Sequence, residues 1–165
     1  MNFEDFIVNV PDFPIKGIIY KDITPLLQNH FSEVIEEMGK LIDWTQIDII
    51  AGIESRGFIL AAGLSARYSK GFIPIRKKGR LPPPTISHSY ELEYGSDTLE
   101  IKPNLSPKRV LIVDDVLATG GTLKAAISLS EKANLTVNGI LVLINLKFLN
   151  KMEQEGHKVK SILNY

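Results

Sequence analysis

Cysteine is absent from this 165-residue chain, so it can form neither a disulfide framework nor a thiolate metal site. Net charge is absent as well. Nineteen Lys and Arg balance nineteen Asp and Glu, which argues against a general nucleic-acid binder, normally a basic protein. No run of about 18 apolar residues occurs, which excludes a transmembrane helix. The opening stretch MNFEDFIVNV carries early acids and no basic segment, so it is not a signal peptide and a cytoplasmic location is expected. There is no internal repeat and no linker rich in Gly or Ser. With 44% apolar residues, the chain is expected to fold as one domain over residues 1–165. The three histidines, His30, His88 and His157, have no partners that suggest a transition-metal site.

Against these absences stands a regular alternation of patterns. Apolar residues at helical spacing predict a helix over about Ser32–Asp43, with Ser32 as N-cap. Ile47–Ala51 reads as a strand, Gly57–Tyr68 as a buried helix and Gly71–Ile75 as a strand. Strand Val110–Val113, helix Thr122–Ala133, strand Gly139–Ile144 and a terminal helix near Leu149–Glu155 follow. Alternating strands and helices imply an α/β fold with an open, mostly parallel sheet and helices on both faces. The stretch from Lys77 to Lys102 contains Pro82-Pro83-Pro84 and short strand-like pieces at Thr85–Tyr90 and Thr98–Ile101. It is too long for a simple connection and is expected to be a flexible functional flap over about 77–102.

The most informative segment is VLIVDDVLATGGT, from Val110 to Thr122. A buried strand leads to two adjacent carboxylates, Asp114 and Asp115. A loop of small residues follows, Ala118, Thr119, Gly120, Gly121 and Thr122, and then a helix. Ligands of open α/β sheets bind outside the carboxyl ends of the strands. Small residues let backbone N–H groups close around an anion, and a helix N-terminus adds its positive dipole end. The loop is therefore suited to a phosphate, and the acids to sugar hydroxyls. Neither a Walker A ending nor a GxGxxG fingerprint is present.

Three further loops follow predicted strands or lie in the flap. Gly52-Ile53-Glu54-Ser55-Arg56-Gly57 places Arg56 where its planar fork could engage phosphate oxygens, the alternative being a surface pair with Glu54. Arg76-Lys77-Lys78-Gly79-Arg80 sets four cations in five residues, either a pyrophosphate clamp or a solvated basic turn. Ser89-Tyr90-Glu91-Leu92-Glu93-Tyr94-Gly95 could close over a reacting centre and deliver a carboxylate, or be an exposed hairpin.

The VLIVDDVLATGGT segment resembles the ribose-phosphate motif of the type I phosphoribosyltransferases. The resemblance extends from about Asp12 to Leu149 and includes SRGF, RKKGRLP, SYELEYG and the loop DFPIKGIIYKDITPLL. These additional stretches resemble the adenine phosphoribosyltransferases. That resemblance implies transfer of a phosphoribosyl group from phosphoribosyl pyrophosphate (PRPP) to adenine, yielding AMP and pyrophosphate in purine salvage. It implies Asp114 and Asp115 on the ribose, and Ala118 to Thr122 on the 5′-phosphate. Ser55, Arg56, Arg76 and Arg80 would take the pyrophosphate, and the Glu54–Ser55 peptide would be cis. Glu93, Tyr94 and Arg56 would act at the reacting centre. A hood loop over about 11–27 would cover the base. Tyr20 would stack on it, the Ile19 carbonyl and Lys21 N–H would hydrogen-bond it, and Leu146 would close its other face. Arg80, Tyr20 and Lys21 stand where the family commonly has Lys, Phe and Arg. Magnesium is implied as cofactor, held through PRPP and water without a direct protein ligand. The implied assembly is a homodimer, with neither nucleic acid nor membrane as partner.

Rival readings are an enzyme for an oxopurine or orotate, a non-catalytic PRPP-sensing regulator, and a bare scaffold. The hood loop argues against the first. The regulator would need a DNA-binding module, for which no residues remain. A scaffold has no use for a phosphate loop, a basic turn and an acidic flap together.

Overall fold

The computed structural model describes residues 2–92 and 95–165; Glu93 and Tyr94, singled out above, lie outside the described residues. A two-stranded antiparallel hairpin, β1 (Val8–Pro11) and β2 (Ile19–Asp22), precedes helix α1 (Thr24–Lys40). Then come β3 (Ile49–Ile53), α2 (Arg56–Tyr68), β4 (Gly71–Lys77), β5 (Ile86–Leu92) and β6 (Gly95–Ile101). The chain closes with β7 (Lys108–Leu117), α3 (Gly121–Lys132), β8 (Leu135–Asn145) and β9 (Val159–Asn164). The main sheet has the order β5-β6-β4-β3-β7-β8-β9. Strands β4, β3, β7, β8 and β9 run parallel, while β6 pairs antiparallel with both β4 and β5.

Side chains of a strand alternate between the two faces of a sheet, and here both faces are covered. Ala51, Val110, Ile112, Ile140 and Val142 point to the face packed by Leu123, Ala126 and Leu129 of α3. Their neighbours Ile50, Leu111, Val113, Leu141 and Leu143 point to the opposite face, against α1 and α2. Burial on both faces explains why these strands read as continuous apolar runs. Each large side chain so buried contributes about 1.5–3 kcal/mol.

Helices on both faces of a mostly parallel sheet match the expected architecture, but four elements differ. Helix α1 starts at Thr24, with proline in its first turn, and its backbone breaks at His30 (φ −140°, ψ 31°). His30 packs edge-on against Phe6 there, with centroids 4.3 Å apart. The apolar spacing read from Ser32 belongs to the second half of the element, so Ser32 lies inside the helix. The expected helix near Leu149–Glu155 is replaced by turns. Asn150 donates to the Leu146 carbonyl (2.9 Å) and accepts from the Met152 N–H (3.3 Å), local bonds that compete with a helical ladder. Strand β9 was missed. It lies at the sheet edge, is largely half-exposed and carries no clean alternation. Finally, Ile86–Leu92 and Gly95–Ile101 pair as β5 and β6, an extension of the sheet whose Tyr90, Leu99 and Ile101 belong to the α3-side core.

Helices α1 and α2 meet at Gly39. A Cβ there would stand 2.0 Å from Tyr68 Oη. Tyr68 is itself held by stacking on Trp44 at 4.1 Å, and the Trp44 ring N–H donates to the Gly39 carbonyl (2.9 Å). Gly39→Ala gains about 1 kcal/mol of helix propensity but overpacks the crossing by about 1–3 kcal/mol. A drop of a few degrees in Tm is expected in thermal unfolding. An unchanged Tm would mean that Tyr68 yields freely.

Candidate active site

Parallel strands bring their carboxyl ends to one edge of the sheet. Since β4, β3 and β7 are neighbours, the turn after β3, the basic turn after β4 and the acid pair with its following loop all converge there. The β1–β2 hairpin and its 11–18 loop lie beside them. That loop is closed by the Gly17 N–H donating to Asp12 Oδ1 (2.7 Å), with Gly17 at φ +92°.

Arg56, first residue of α2, joins three parts of this edge. Its Nε lies 2.6 Å from Asp115 Oδ2, its Nη1 donates to the Lys21 carbonyl (3.0 Å), and its guanidinium sits 4.4 Å over the Tyr20 ring. The surface pair with Glu54 weighed from the sequence does not form. Glu54 instead takes two donors from Arg76 on Oε1 (2.6 and 3.2 Å) and the Lys77 N–H on Oε2 (2.8 Å). Burial works to raise the Glu54 pKa, but these donors outweigh it and hold the carboxyl below its usual range. Arg76 also donates to the Arg80 carbonyl (3.0 Å), while the Arg80 and Ser55 side chains are exposed. The Glu54–Ser55 peptide is cis.

Asp114 and Asp115 lie inside β7, three and two residues short of its end, rather than beyond the strand. Both are buried, at 8% and 7% exposure. Asp114 Oδ1 accepts from the Asp115 N–H (2.9 Å). Gly57 makes room for this arrangement, since a Cβ there would come within 2.8 Å of Asp114 Oδ1 and 3.0 Å of the Val113 carbonyl. Asp115 Oδ2 has Arg56 as its charge partner, but the approach lacks hydrogen-bond geometry. Among the described residues this buried oxygen therefore has no hydrogen-bond donor.

The phosphate-type loop ends in Gly120 (φ +96°), which occupies the N-cap of α3 without a side chain to cap it. First-turn N–H groups of a helix have no partners within it, so this terminus suits an anion. Gly121 packs under the hairpin, where a Cβ would be 3.1 Å from the Glu91 carbonyl. Thr122 Oγ1 donates to Tyr90 Oη (3.3 Å).

One cavity of about 540 Å³ brings together Ile19, Tyr20, Lys21, Arg56, Asp115, Ala118, Thr119 and Leu146 from the sequence-derived set. Asp114, Gly120, Gly121, Thr122, Ser55, Arg76 and Arg80 lie outside its wall. Tyr20 is fixed between Arg56 and an edge-on Phe13 at 5.1 Å. The Lys21 ammonium sits 3.9 Å over the Tyr165 ring. Tyr165 also lines the cavity, as do Val116 and Phe148. Sequence reasoning missed Tyr165 because it arrives on β9, whose N–H and C=O ties to Asn145 and Lys147 only the tertiary fold reveals.

Burial first, and then the neighbouring Asp115 charge, push the Asp114 pKa well above 3.8, with Arg56 opposing. Above that ordinary value the folded protein therefore holds a proton that the unfolded chain has released, and stability falls as pH rises through this window. Asp114→Asn removes the titrating group. The Tm of the variant relative to the unsubstituted protein is expected to rise from about pH 5 to about pH 8. A difference independent of pH would contradict the raised pKa.

Comparisons with known proteins agree with this geometry. The phosphoribosyl transferase domain family matches residues 18–165. The chain is 53% identical over 167 aligned positions to the adenine phosphoribosyltransferase of Bdellovibrio bacteriovorus, covering all of both chains. The crystal structure of adenine phosphoribosyltransferase from Thermoanaerobacter pseudethanolicus matches with a TM-score of 0.92 at 42% identity, covering 99% of this chain and 100% of that one. The Saccharomyces cerevisiae enzyme, crystallised with an imino-altritol bisphosphate and adenine, matches with a TM-score of 0.82 at 33% identity, covering 96% and 95%. With a family match over most of its length and full-length relatives well above 30% identity, the chain belongs to the phosphoribosyltransferase family, among the adenine phosphoribosyltransferases.

Proposed function

We propose that this chain transfers the phosphoribosyl group of PRPP to adenine, releasing pyrophosphate and forming AMP for purine salvage. The observation that carries this reading is the single cavity in which the backbone edge of β2, an unsatisfied buried carboxylate and the start of a phosphate-type loop meet around Arg56. Lys21 presents its carbonyl to Arg56. In an extended strand the N–H and C=O of one residue face one way, as do those of the residue two positions along. The Ile19 carbonyl and the Lys21 N–H therefore face the side that Arg56 approaches. Adenine offers a matching amine donor beside a ring-nitrogen acceptor.

In this reading Asp115 and Asp114 accept from the ribose hydroxyls, Ala118 to Thr122 hold the 5′-phosphate, and Ser55, Arg56, Arg76 and Arg80 face the pyrophosphate. Tyr20 and Leu146 sandwich the base. As pyrophosphate departs, positive charge develops on the anomeric carbon and ring oxygen, so catalysis rests on positioning and electrostatics. Glu93 and Tyr94 would be delivered by the hairpin, with Glu93 managing the base proton or supporting the developing charge. The donor set fits magnesium held indirectly, since Asp115 Oδ2 is open to a ribose hydroxyl or an ion's water. Bound that way, the ion's chemistry is to neutralise the leaving group. The reading includes a homodimer in the cytoplasm. Exposed Ile59 and Phe72, the latter edge-on to Phe58, offer such a dimer an apolar face beside the 54–57 turn.

Two measurements test the assignment. Replacing Asp114 and Asp115 together by Asn is expected to weaken PRPP binding by about 1.5–3 kcal/mol for each charge-assisted bond lost. Unaltered PRPP affinity by calorimetry in a folded double variant would remove the acids from the ribose site. For the base, hypoxanthine reverses both hydrogen-bonding groups, so kcat/KM should favour adenine by about 10⁴–10⁵. Because the contacts are main-chain and the Lys21 side chain is turned to Tyr165, Lys21→Ala should keep that preference. Comparable kcat/KM for the two bases would overturn adenine as substrate while leaving PRPP dependence standing.

A further inference from the structure

Behind the phosphate-type loop lies a polar cluster that the proposed reaction does not use. Tyr90 on β5 is 8% exposed and packed in the α3-side core. Its hydroxyl receives two donors, Thr122 Oγ1 at 3.3 Å and Lys77 Nζ at 3.4 Å, and its own proton is within reach of the Asp97 carboxylate. Lys77, at the end of β4, is ion-paired with Asp97 on β6. Gly121 lies against the Tyr90 ring. A Cβ at 121 would stand 3.4 Å from Tyr90 Cδ2 and 3.1 Å from the Glu91 carbonyl.

The direction of these bonds matters. A hydroxyl has one proton, and in this arrangement Thr122 spends it on Tyr90. A phosphate at the α3 N-terminus can only accept from Thr122, so the Thr122 proton must turn to the phosphate. Its oxygen then has a lone pair facing Tyr90, and the Tyr90 hydroxyl rotates away from Asp97, which keeps Lys77 as its partner, to donate into it. Lys77 continues to donate to Tyr90 Oη. No proton changes residue, as two hydroxyls merely rotate. The result is an unbroken run of donors from the Lys77 ammonium through the Tyr90 and Thr122 hydroxyls to the phosphate oxygen. Hydrogen bonds aligned head to tail polarise and strengthen one another in a low-dielectric setting. The present distances exceed the usual 2.7–3.2 Å or so, and leave room to shorten when an anion pulls on the chain.

We infer that Tyr90 is a positioning residue that couples the charge of Lys77 to the 5′-phosphate through the Thr122 hydroxyl. The inference rests on the placement of the 5′-phosphate proposed above. It makes the base of the hairpin part of phosphate recognition, although neither Tyr90 nor Lys77 touches the substrate.

Calorimetric titration with AMP, and in parallel with adenosine, which lacks the phosphate, separates the possibilities. The unsubstituted protein should bind AMP far more tightly than adenosine. Tyr90→Phe removes only the hydroxyl and should weaken AMP about three- to tenfold, leaving adenosine affinity and Tm unchanged. Lys77→Gln should act in the same direction on AMP alone, independently of how Tyr90→Phe folds. Thr122→Val should weaken AMP at least as much, and Thr122→Ser, which keeps the hydroxyl, should restore it. Because Tyr90 acts through Thr122, the double variant Tyr90→Phe with Thr122→Val should bind AMP no more weakly than Thr122→Val alone. The relay is overturned if Tyr90→Phe binds AMP normally, if it weakens adenosine equally, or if the two losses multiply. If the unsubstituted protein does not distinguish AMP from adenosine, the phosphate placement itself is wrong, and the relay falls with it.

Discussion

The ion pair between Arg56 and Asp115 is the contact on which the rest of the site depends. Taken alone, a half-buried arginine beside a buried carboxylate is a modest contributor to stability, because desolvation opposes the Coulombic gain. Its importance is geometric. The same guanidinium holds the Lys21 carbonyl and lies over the Tyr20 ring. One planar group therefore sets the distance between the β1–β2 hairpin, the turn after β3 and the acids of β7. Arg56 can do this because it opens α2, and because Gly57 lets that helix start approach β7 without a Cβ in the way.

Three of the cations at this edge are already paired with carboxylates of the chain. Arg56 faces Asp115, Arg76 faces Glu54, and Lys77 faces Asp97. Such pairing preorganises the donors and spares the chain the repulsion of a bare basic cluster. It also means that an incoming polyanion exchanges partners with the chain, so that recognition depends on which donors remain available. Arg80 and Ser55 are exposed, and the N–H groups at the start of α3 have no capping side chain. Buried Asp115 Oδ2 supplies the one acceptor of the cavity's acids left without a donor among the described residues.

The β5–β6 hairpin links this electrostatics to the fold. Glu93 and Tyr94, which come between β5 and β6 in the sequence, lie outside the described residues. The base of the hairpin is built into the sheet by the pairing of β6 with β4 and into the α3-side core by Tyr90 and Leu99. The hairpin is thereby anchored against Gly121 and Thr122, at the start of the helix that would meet a phosphate. Anchoring and phosphate loop share residues, so a change at one is felt at the other.

By itself the sequence determined the order of most strands and helices, because strands buried on both faces leave unbroken apolar runs and α2 and α3 carry strong local patterns. It also located the candidate site at one edge, since the small-residue loop and the basic turn follow strands, and the acids lie near the end of one, whose carboxyl ends must face that edge. The tertiary structure alone decided the pairings. Whether Arg56 meets Glu54 or Asp115 depends on β7 lying beside β3, more than fifty residues away in the chain, and no local pattern encodes that. The burial of the Asp114–Asp115 pair follows from the same adjacency, through the approach of Gly57. Edge strand β9 and the Tyr165 wall of the cavity were illegible because an edge strand needs neither alternation nor apolar density. The turns at 147–156 replaced a helix because Asn150 satisfies its neighbours' backbone groups locally. Local propensity is written in neighbouring residues, whereas partner choice is decided only when distant strands are set side by side.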